Sequence, residues 1–532
     1  MKIRCSYVPY RNTGKFQPIV CDYLDQAPFL KPLYEAAPSL ESMGDFMEKK
    51  RHHSIDRATL VTVLREQYSA AGLLDDATEQ RIAQLLSDDT FTITTGQQTG
   101  ILLGPMYSPM KILSAVKMTE QLTEAYPQQQ FVPVFWMATE DHDVAEIDHV
   151  WVNGQQLKWN TTQSGPVGRF HNEGMQALLQ EFKSIFGESP DAKKLSSIFE
   201  QAYALPTLSL ATRFIVHALF GHMGLLIIDA DDVRFKQAYS SIIAADIFEK
   251  NSQREVEKAR TYLEQRYHSQ VNGREINFFY LLDGYRERIV AQEENYQTND
   301  GNYQWTEDEL RQLIASHPER FSPNVLMRPL YEECILPNIA YIGGGAEVAY
   351  WLEMKGIFDH YHVPFPALVL RNSAMVIDAV NTHRFENAQL SAEDLFAERS
   401  SLEKRIVLSL SGEQLELKQQ HHDLAELIHQ LKSIAQQTDA TLSTSAEAMG
   451  KRLEVQFERF SKKLIRAGKR RHSVEISRLN ELWNHVYPGG SLQERKESVS
   501  TFMLRHSFEI LPSLKNAIDP FGRDFLIVFQ EA

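Results

Sequence analysis

The sequence predicts an α/β protein in which a parallel-sheet core is followed by a long antiparallel helical arm. Three observations predict it. Short apolar strands alternate with helical stretches between residues 91 and 228. The ends of those strands carry glycine, polar or acidic clusters, and a glycine-poor, proline-poor stretch from Ser391 to Val486 places apolar residues at three-four spacing. Strands alternating with helices imply a parallel sheet covered on both faces, and such sheets bind ligands at the carboxyl ends of their strands.

Taken in order, Leu60, Val63, Leu64 and Tyr68 mark an amphipathic helix within Ser54 to Ala71, and Thr78 to Leu86 reads as a second. Phe91 to Thr95 is a β-branched strand that stops at Gly96-Gln97-Gln98-Thr99-Gly100, before a helix near Pro109 to Ala125. A second strand, Phe131 to Trp136, runs into Ala138-Thr139-Glu140-Asp141-His142-Asp143. The third, Gly224 to Ile228, ends at Asp229, Asp231 and Asp232. The stretch from Leu205 to Asp229 is interrupted by Arg213, His217 and His222, so it reads as a buried helix and strand and no membrane span is expected. Residues 237–267 then read as one helix, followed by a strand over Ile276 to Leu281. The core resumes with Pro329 to Cys334, Tyr341 to Gly345 and the strand Ala367 to Leu370.

In the arm, Leu424, Ile428, Leu431, Ala435, Leu442, Ala446, Met449, Leu453, Phe457, Phe460 and Leu464 follow a coiled-coil seam. One helix over Thr438 to Val486 would be roughly 70 Å long. Tyr487-Pro488-Gly489-Gly490 ends it, and Phe525 to Phe529 is a strand returning to the core. The expected organisation is a core over 1–231, an insertion over 232–325, the core's second part over 326–385, the coiled coil over 386–488 and a C-terminal segment over 489–532.

A length of 532 residues suits about three or four domains. The net charge of −15 disfavours a nucleic-acid partner, since phosphate binding needs clustered cations. The run Lys462, Lys463, Arg466, Lys469, Arg470, Arg471 reads as a solvated face, with an anionic partner as the alternative. Met1 to Ser6 contains no apolar run and the three cysteines, Cys5, Cys21 and Cys334, are too scattered for a disulfide framework, so a cytoplasmic home is expected.

Three blocks carry the chemistry. In Thr94 to Tyr107, TTGQQTGILLGPMY, small residues let backbone N–H groups approach an anion, with Lys111 adding a charge. A tight strand-to-helix turn is the alternative. Glu140, Asp141, His142 and Asp143, with Glu146, Asp148 and His149 close behind, crowd ionisable groups after a strand. Such crowding provides a base or an ammonium pocket, or else a solvated helix start. No HxxxH or CxxC spacing supports a metal, and none is expected. In Gly343 to Glu353, glycines permit close backbone approach while Glu347 meets an amine or hydroxyl; core packing of Tyr350 and Trp351 is the alternative. Arg371-Asn372-Ser373 offers a carboxylate-binding fork or a helix cap.

Together and in this order, TTGQQTGxxxGPxY, PVFWxATEDHD, and GGGAExAYWLExK followed by RNS resemble the BshC family of bacillithiol biosynthesis, and with the coiled coil and GGSLQER at Gly489 to Arg495 the likeness spans nearly the whole chain. One departure is Gly345, at a position that often holds proline in that family. The resemblance implies a Rossmann-like core with connecting-peptide insertions, a dimerising coiled coil, and joining of cysteine's carboxyl to the amine of glucosaminyl-malate, the last step to bacillithiol. It assigns Glu140, Asp141, His142 and Asp143 to catalysis. Substrate binding falls to Thr95, Gly96, Gln97, Gln98, Gly100, Tyr107, Gly343, Gly344, Glu347, Tyr350, Arg371, Asn372 and Ser373, to which the reading of the residues themselves adds Lys111. Gly490, Gln493, Glu494 and Arg495 are candidates for a second, nucleotide-binding pocket. The cofactor is left open, with ATP or ADP as the candidate.

On this reading Asp141 or His142 accepts the amine's proton, carboxylates hold cysteine's ammonium, and Lys111, Arg169 and Arg371 meet the two malate carboxylates. It requires the loops of Gly96, Asp141, Gly344 and Arg371 to converge. The rival is a nucleotide-binding coiled-coil scaffold or regulatory module without catalysis.

Overall fold

A computed structural model describes residues 2–293, 295–411 and 417–531. The chain divides into two compact units, residues 1–375 with 491–528 and residues 376–490 with 529–532.

At the centre of the first unit five strands run parallel, in the order Ala367–Leu370, Asn338–Gly343, Thr90–Gln97, Gln130–Met137, Leu226–Asp229. All residues from Thr90 to Gly96 and from Phe131 to Met137 are buried, which is why these strands are continuous apolar or β-branched runs and not alternating ones. The helix Tyr107–Ala125 covers one face through Ala115, Met118 and Leu122, packed with Phe91, Ile93, Ile339, Ile342 and Val369.

The chain lays its first three core strands outward from Thr90–Gln97, then crosses back and adds Asn338–Gly343 on that strand's other side. Strand order therefore reverses between Thr90–Gln97 and Asn338–Gly343. Loops leaving two such strands diverge, and this is where open α/β sheets take ligands.

Residues 232–325 fold as the helices Val233–Glu249 and Asn251–Leu263 and an antiparallel sheet in the order Gln304–Thr306, Asn295–Thr298, Tyr285–Gln292, Phe278–Leu282, Phe321–Pro323. The single helix expected over 237–267 is broken at Lys250, which sits at φ +57°. The other four strands of this sheet escape the sequence reading because three of them, Asn295–Thr298, Gln304–Thr306 and Phe321–Pro323, are only three or four residues long, and Tyr285–Gln292 is charged and partly exposed. Asp524–Gln530 is a strand as expected, but it joins a separate three-stranded sheet between Ile3–Pro9 and Ala374–Ile377.

In the second unit the helices Lys418–Thr438 and Leu442–Arg471 pack as a pair joined by a short turn, in which Asp439 Oδ1 accepts from the Thr441 N–H and hydroxyl at 2.8 Å. The pair is close: a Cβ on Gly450 would lie 2.6 Å from Ile428 Cγ2. The one long helix expected over 438–486 is instead two, Leu442–Arg471 and Ser473–Val486, because His472 leaves helical geometry at ψ 40° and bonds Ser411 Oγ at 2.9 Å. Among the described residues no helix is long and apolar enough to cross a membrane.

Past the strand Asn338–Gly343 the chain turns straight into the helix Gly345–Trp351. Gly344 stands at φ −74°, ψ 171°, and Gly345 is the first helical residue. Extended backbone followed by a first helical position is the setting proline prefers, since the N–H it lacks is unpaired there in any case. Gly345→Pro should therefore raise stability by about 0.5–1 kcal/mol through a stiffer unfolded chain. A thermal midpoint at or below wild type would show that this turn is strained by proline.

Candidate active site at the strand-order reversal

The Lys111 ammonium lies at the reversal. It is 3% exposed. Lys111 donates to Gly96 O at 2.8 Å and Gln97 Oε1 at 2.9 Å, and pairs with Glu347 Oε2 at 2.5 Å. Glu347 in turn accepts from the Tyr341 hydroxyl at 2.6 Å and the Gly344 N–H at 2.7 Å. Burial pulls the Lys111 ammonium below its usual range against the pull of Glu347. Burial would raise Glu347, but Lys111, Tyr341 and the Gly344 N–H outweigh it and keep its carboxyl below the usual value. Glycine at 343 suits this packing, because a Cβ there would approach Glu347 Cβ to 3.0 Å, a tight contact that Glu347 would have to relieve.

The first block is held by its own chain. Thr95 Oγ1 donates to Ile342 O at 2.8 Å, and Gly96 faces Trp136 O and the Tyr341 hydroxyl. The N–H groups of Gly100, Leu102, Leu103, Gly104 and Met106 are all satisfied internally, Leu102 by the Tyr203 hydroxyl at 2.8 Å. These five N–H groups are therefore not free for an anion, the Thr99 hydroxyl of the same block is buried with no partner among the described residues, and Lys111 is a buried tie.

In the second block Gln98 Nε2 donates to Asp141 Oδ2 at 2.7 Å and also to Glu146. Two carboxylates therefore converge on one donor. Asp141 Oδ1 accepts the His142 N–H at 2.7 Å, and Arg286 stands 3.7 Å away. Burial works to raise Asp141, but the hydrogen bonds from His142 and Gln98 and the charge of Arg286 hold it well below the carboxylate range. Arg286 Nη1 lies 2.6 Å from His142 Nδ1, and since a guanidinium only donates, that nitrogen is an acceptor and the proton sits on Nε2. In this arrangement Asp141 is held ionised and His142 has its Nδ1 lone pair engaged by Arg286. Glu140 turns away to pair with Lys236, whose ammonium also meets Phe321 O at 2.8 Å. Asp143 is exposed at the start of the short helix Val144–Ile147.

Arg371 is 5% exposed, with its guanidinium 5.9 Å from the Tyr107 ring centroid. Its backbone N–H bonds Gly343 O at 2.7 Å, and Arg371 Nη1 and Nη2 reach the two oxygens of Glu494 at 3.0 and 2.8 Å. The carboxylate that this fork binds is therefore internal. Asn372 and Ser373 are not a helix cap, as a strand follows; Asn372 N–H donates to Ser114 Oγ at 3.0 Å and Ser373 N–H to the Tyr10 hydroxyl at 3.1 Å. Of the second-pocket candidates, Gln493 and Glu494 are buried, Glu494 is committed to Arg371, and Gly490 and Arg495 are exposed. Arg169 is likewise taken, by Asp231 at 2.8 Å and Asp283 at 2.6 Å.

Gly96, Gly344 and Arg371 are thus joined through Lys111, Glu347 and Gly343, and Asp141 through Gln98 of the first block. Three residues of this rim escape the sequence reading. Arg286 comes from a strand of the 232–325 region and stacks at 3.9 Å over Phe279. Arg328 and Glu332 come from the helix Arg328–Ile335; Arg328 Nη1 meets Glu332 Oε2 at 2.6 Å, and its guanidinium lies 5.9 Å from the Trp136 ring and 5.5 Å from that of Tyr341. The i, i+4 spacing of Arg328 and Glu332 beside the GGG loop is the one signal that could have found them.

A parallel sheet with its ligand face at a strand-order reversal, followed by a paired-helix unit, defines a Rossmann-like protein with a coiled-coil domain. Residues 1–372 match the family profile described as bacillithiol biosynthesis BshC, N-terminal Rossmann-like domain, and residues 374–530 the BshC C-terminal coiled-coil domain. The chain belongs to the BshC family. Two relatives named "Putative cysteine ligase BshC" are 37% identical to it. That of Flavobacterium johnsoniae aligns over 98% of this chain and 99% of its own, and that of Christiangramia forsetii over 98% of each. A relative of the same name from Chlorobaculum tepidum is 25% identical over 97% of both chains.

Removing one member of a buried pair strands the other charge. Lys111→Met should cost about 3–5 kcal/mol in denaturant unfolding, with most of the loss recovered in Lys111→Met/Glu347→Gln. A double-variant loss equal to the sum of those of Lys111→Met and Glu347→Gln would mean that the pair contributes no coupling.

Glu332 is fully buried and receives only Arg328; burial pushes its carboxyl up from 4.5 to about 7. A carboxyl raised on folding stabilises below its unfolded pKa and loses that contribution as pH climbs through the folded value. Between pH 4.5 and 8 the stability of wild type should fall by roughly 3 kcal/mol relative to Glu332→Gln. Parallel stability curves for the two proteins would show that Glu332 does not titrate there.

Proposed function

We propose that the protein is a cysteine ligase in which the amine of glucosaminyl-malate attacks the carbonyl of an activated cysteine carboxyl, the bond to the activating group breaks, the amine's proton passes to solvent and the amide of bacillithiol is formed. The single observation that carries the reading is the convergence of Asp141 and Glu146 on Gln98 Nε2 at the ligand face of the sheet. An ammonium brings three donors and a full charge to the place where a neutral amide now provides two donors and no charge, so cysteine's amino group is the natural exchange partner. Asp141 serves by remaining ionised. His142, its Nδ1 engaged by Arg286, holds the Asp141 carboxylate through its backbone N–H and presents Nε2–H as a donor.

With no side chain here poised as base, positioning is the main contribution of the protein: holding amine and carbonyl in register supplies roughly 7–11 kcal/mol of such a barrier. The names of the 37%-identical relatives support the cysteine part of the reading. Homodimerisation belongs to the helical unit in this proposal, supported by the exposure of Leu427, Ile434, Leu442, Met449, Leu453 and Phe460 along its two paired helices. Free Cys5, Cys21 and Cys334 fit a reducing cytoplasm.

The test is incubation of the full chain with cysteine and glucosaminyl-malate, with and without ATP, following the thiol product by mass spectrometry. Asp141→Asn should raise KM for cysteine at least tenfold with a smaller change in kcat, because it removes the ionised partner of the ammonium. No product under either condition would overturn the ligase reading in favour of a nucleotide-binding or regulatory module.

A further inference from the structure

The acceptor substrate brings carboxylates, yet the cations first expected to meet them are already committed. Lys111 is tied to Glu347, which has two further donors. Arg371 is bidentate on Glu494, which also receives the Ala374 N–H at 3.0 Å. Arg169 holds two aspartates. In each case the partner is a well-solvated or multiply bonded carboxylate that gives its cation up at high cost.

Arg328 differs. Its partner Glu332 has one oxygen on Arg328 and the other, Oε1, buried with no hydrogen-bond partner among the described residues. A carboxylate so placed is poorly stabilised as an anion and is well suited to carry a proton instead. The side chain of Arg328 is 18% exposed, whereas that of Glu332 is fully covered, so the guanidinium has an open side and its partner does not. That guanidinium lies between the rings of Trp136 and Tyr341, with Tyr341 Oη at 3.5 Å. The Tyr341 hydroxyl is also 3.6 Å from where a Cβ would stand on Gly96, which puts Arg328 beside the first motif block.

Resting on the ligase reading above, we propose that Arg328 receives a carboxylate of the acceptor substrate and that Glu332 takes up a proton from solvent as it does so. The charges balance. Arginine, glutamate and the incoming carboxylate sum to −1, and one proton on Glu332 leaves a neutral acid beside an arginine–carboxylate pair. The other ionisable groups facing this pair are Glu333, which is held by Lys50 at 2.6 Å, Glu347 with Lys111, and the hydroxyls of Tyr341 and Tyr350. Glu333 and Glu347 both add negative potential at Glu332, which favours its neutral form and supports the exchange.

The experiment is calorimetric titration of the full chain with L-malate alone, at pH 6, 7 and 8 and in buffers of different ionisation enthalpy. Neither cysteine nor turnover is needed, so a failed ligation assay leaves this test standing, and product formation without the predicted malate behaviour overturns only the present proposal. With Glu332 titrating at about 7, malate should bind about tenfold more tightly at pH 6 than at pH 8, with proton uptake approaching one at the higher pH. Glu332→Gln should bind with no proton uptake and a flat pH profile, at an affinity near that of wild type at pH 6. Arg328→Gln should bind at least tenfold more weakly at every pH. If that variant does not fold, Arg328→Lys, which keeps the charge and loses the fork, should show an intermediate loss with the pH slope retained. Malate binding unchanged in both Arg328 variants, pH-independent in wild type, or absent from wild type would each overturn the assignment.

Discussion

The first unit depends on a buried lysine ammonium. Lys111 lies on the helix that covers the sheet, yet two of its contacts, Gly96 O and Gln97 Oε1, belong to the end of the strand Thr90–Gln97 and the third, Glu347, to the helix that follows Asn338–Gly343, at the point where strand order reverses. Strand ends that diverge at a reversal would otherwise leave carbonyl groups facing an open crevice. The ammonium collects them, and Glu347 neutralises it while capping the helix that starts at Gly345. One buried ion pair thereby sets the relative position of two motif loops that are about 250 residues apart in sequence.

From that constraint follows the electrostatic character of the rim. Its cations each face an internal carboxylate: Lys111 with Glu347, Arg371 with Glu494, Arg328 with Glu332, Lys236 with Glu140, Arg169 with Asp231 and Asp283. Such a site does not attract a charged substrate by net potential. On the binding proposed above, an incoming carboxylate would be received where the internal pair is least well satisfied, at Arg328 and Glu332. An acidic molecule can thus handle a substrate that is itself anionic.

The second unit obeys a different rule. Gly450 against Ile428 lets two helices approach at a distance no larger side chain permits, while many apolar residues on the same helices remain exposed. Its stability is distributed along a seam of side chains and not concentrated in buried charge, and its helix break at His472 reflects a hydrogen bond to Ser411 that no periodicity announces.

Read from sequence alone, the core was legible wherever burial on both faces forces a continuous apolar run. Thr90–Gln97, Gln130–Met137 and Ala367–Leu370 are such strands, and the glycine and acidic clusters after them follow from the rule that ligand loops succeed parallel strands. The motif order likewise determined family membership. The antiparallel strands around Tyr285–Gln292 were not legible, because a half-exposed strand reading YRERIVAQ has no apolar pattern to display. Nor were the partners of the charges. Arg371 and Glu494 are 123 residues apart, and Arg286 and His142 are 144 apart. Periodicity reports which face of an element is buried; which charge meets which is decided by distance and desolvation in three dimensions. Only the tertiary structure could therefore turn Arg371 from a substrate fork into an internal tie and bring Arg328 to the site.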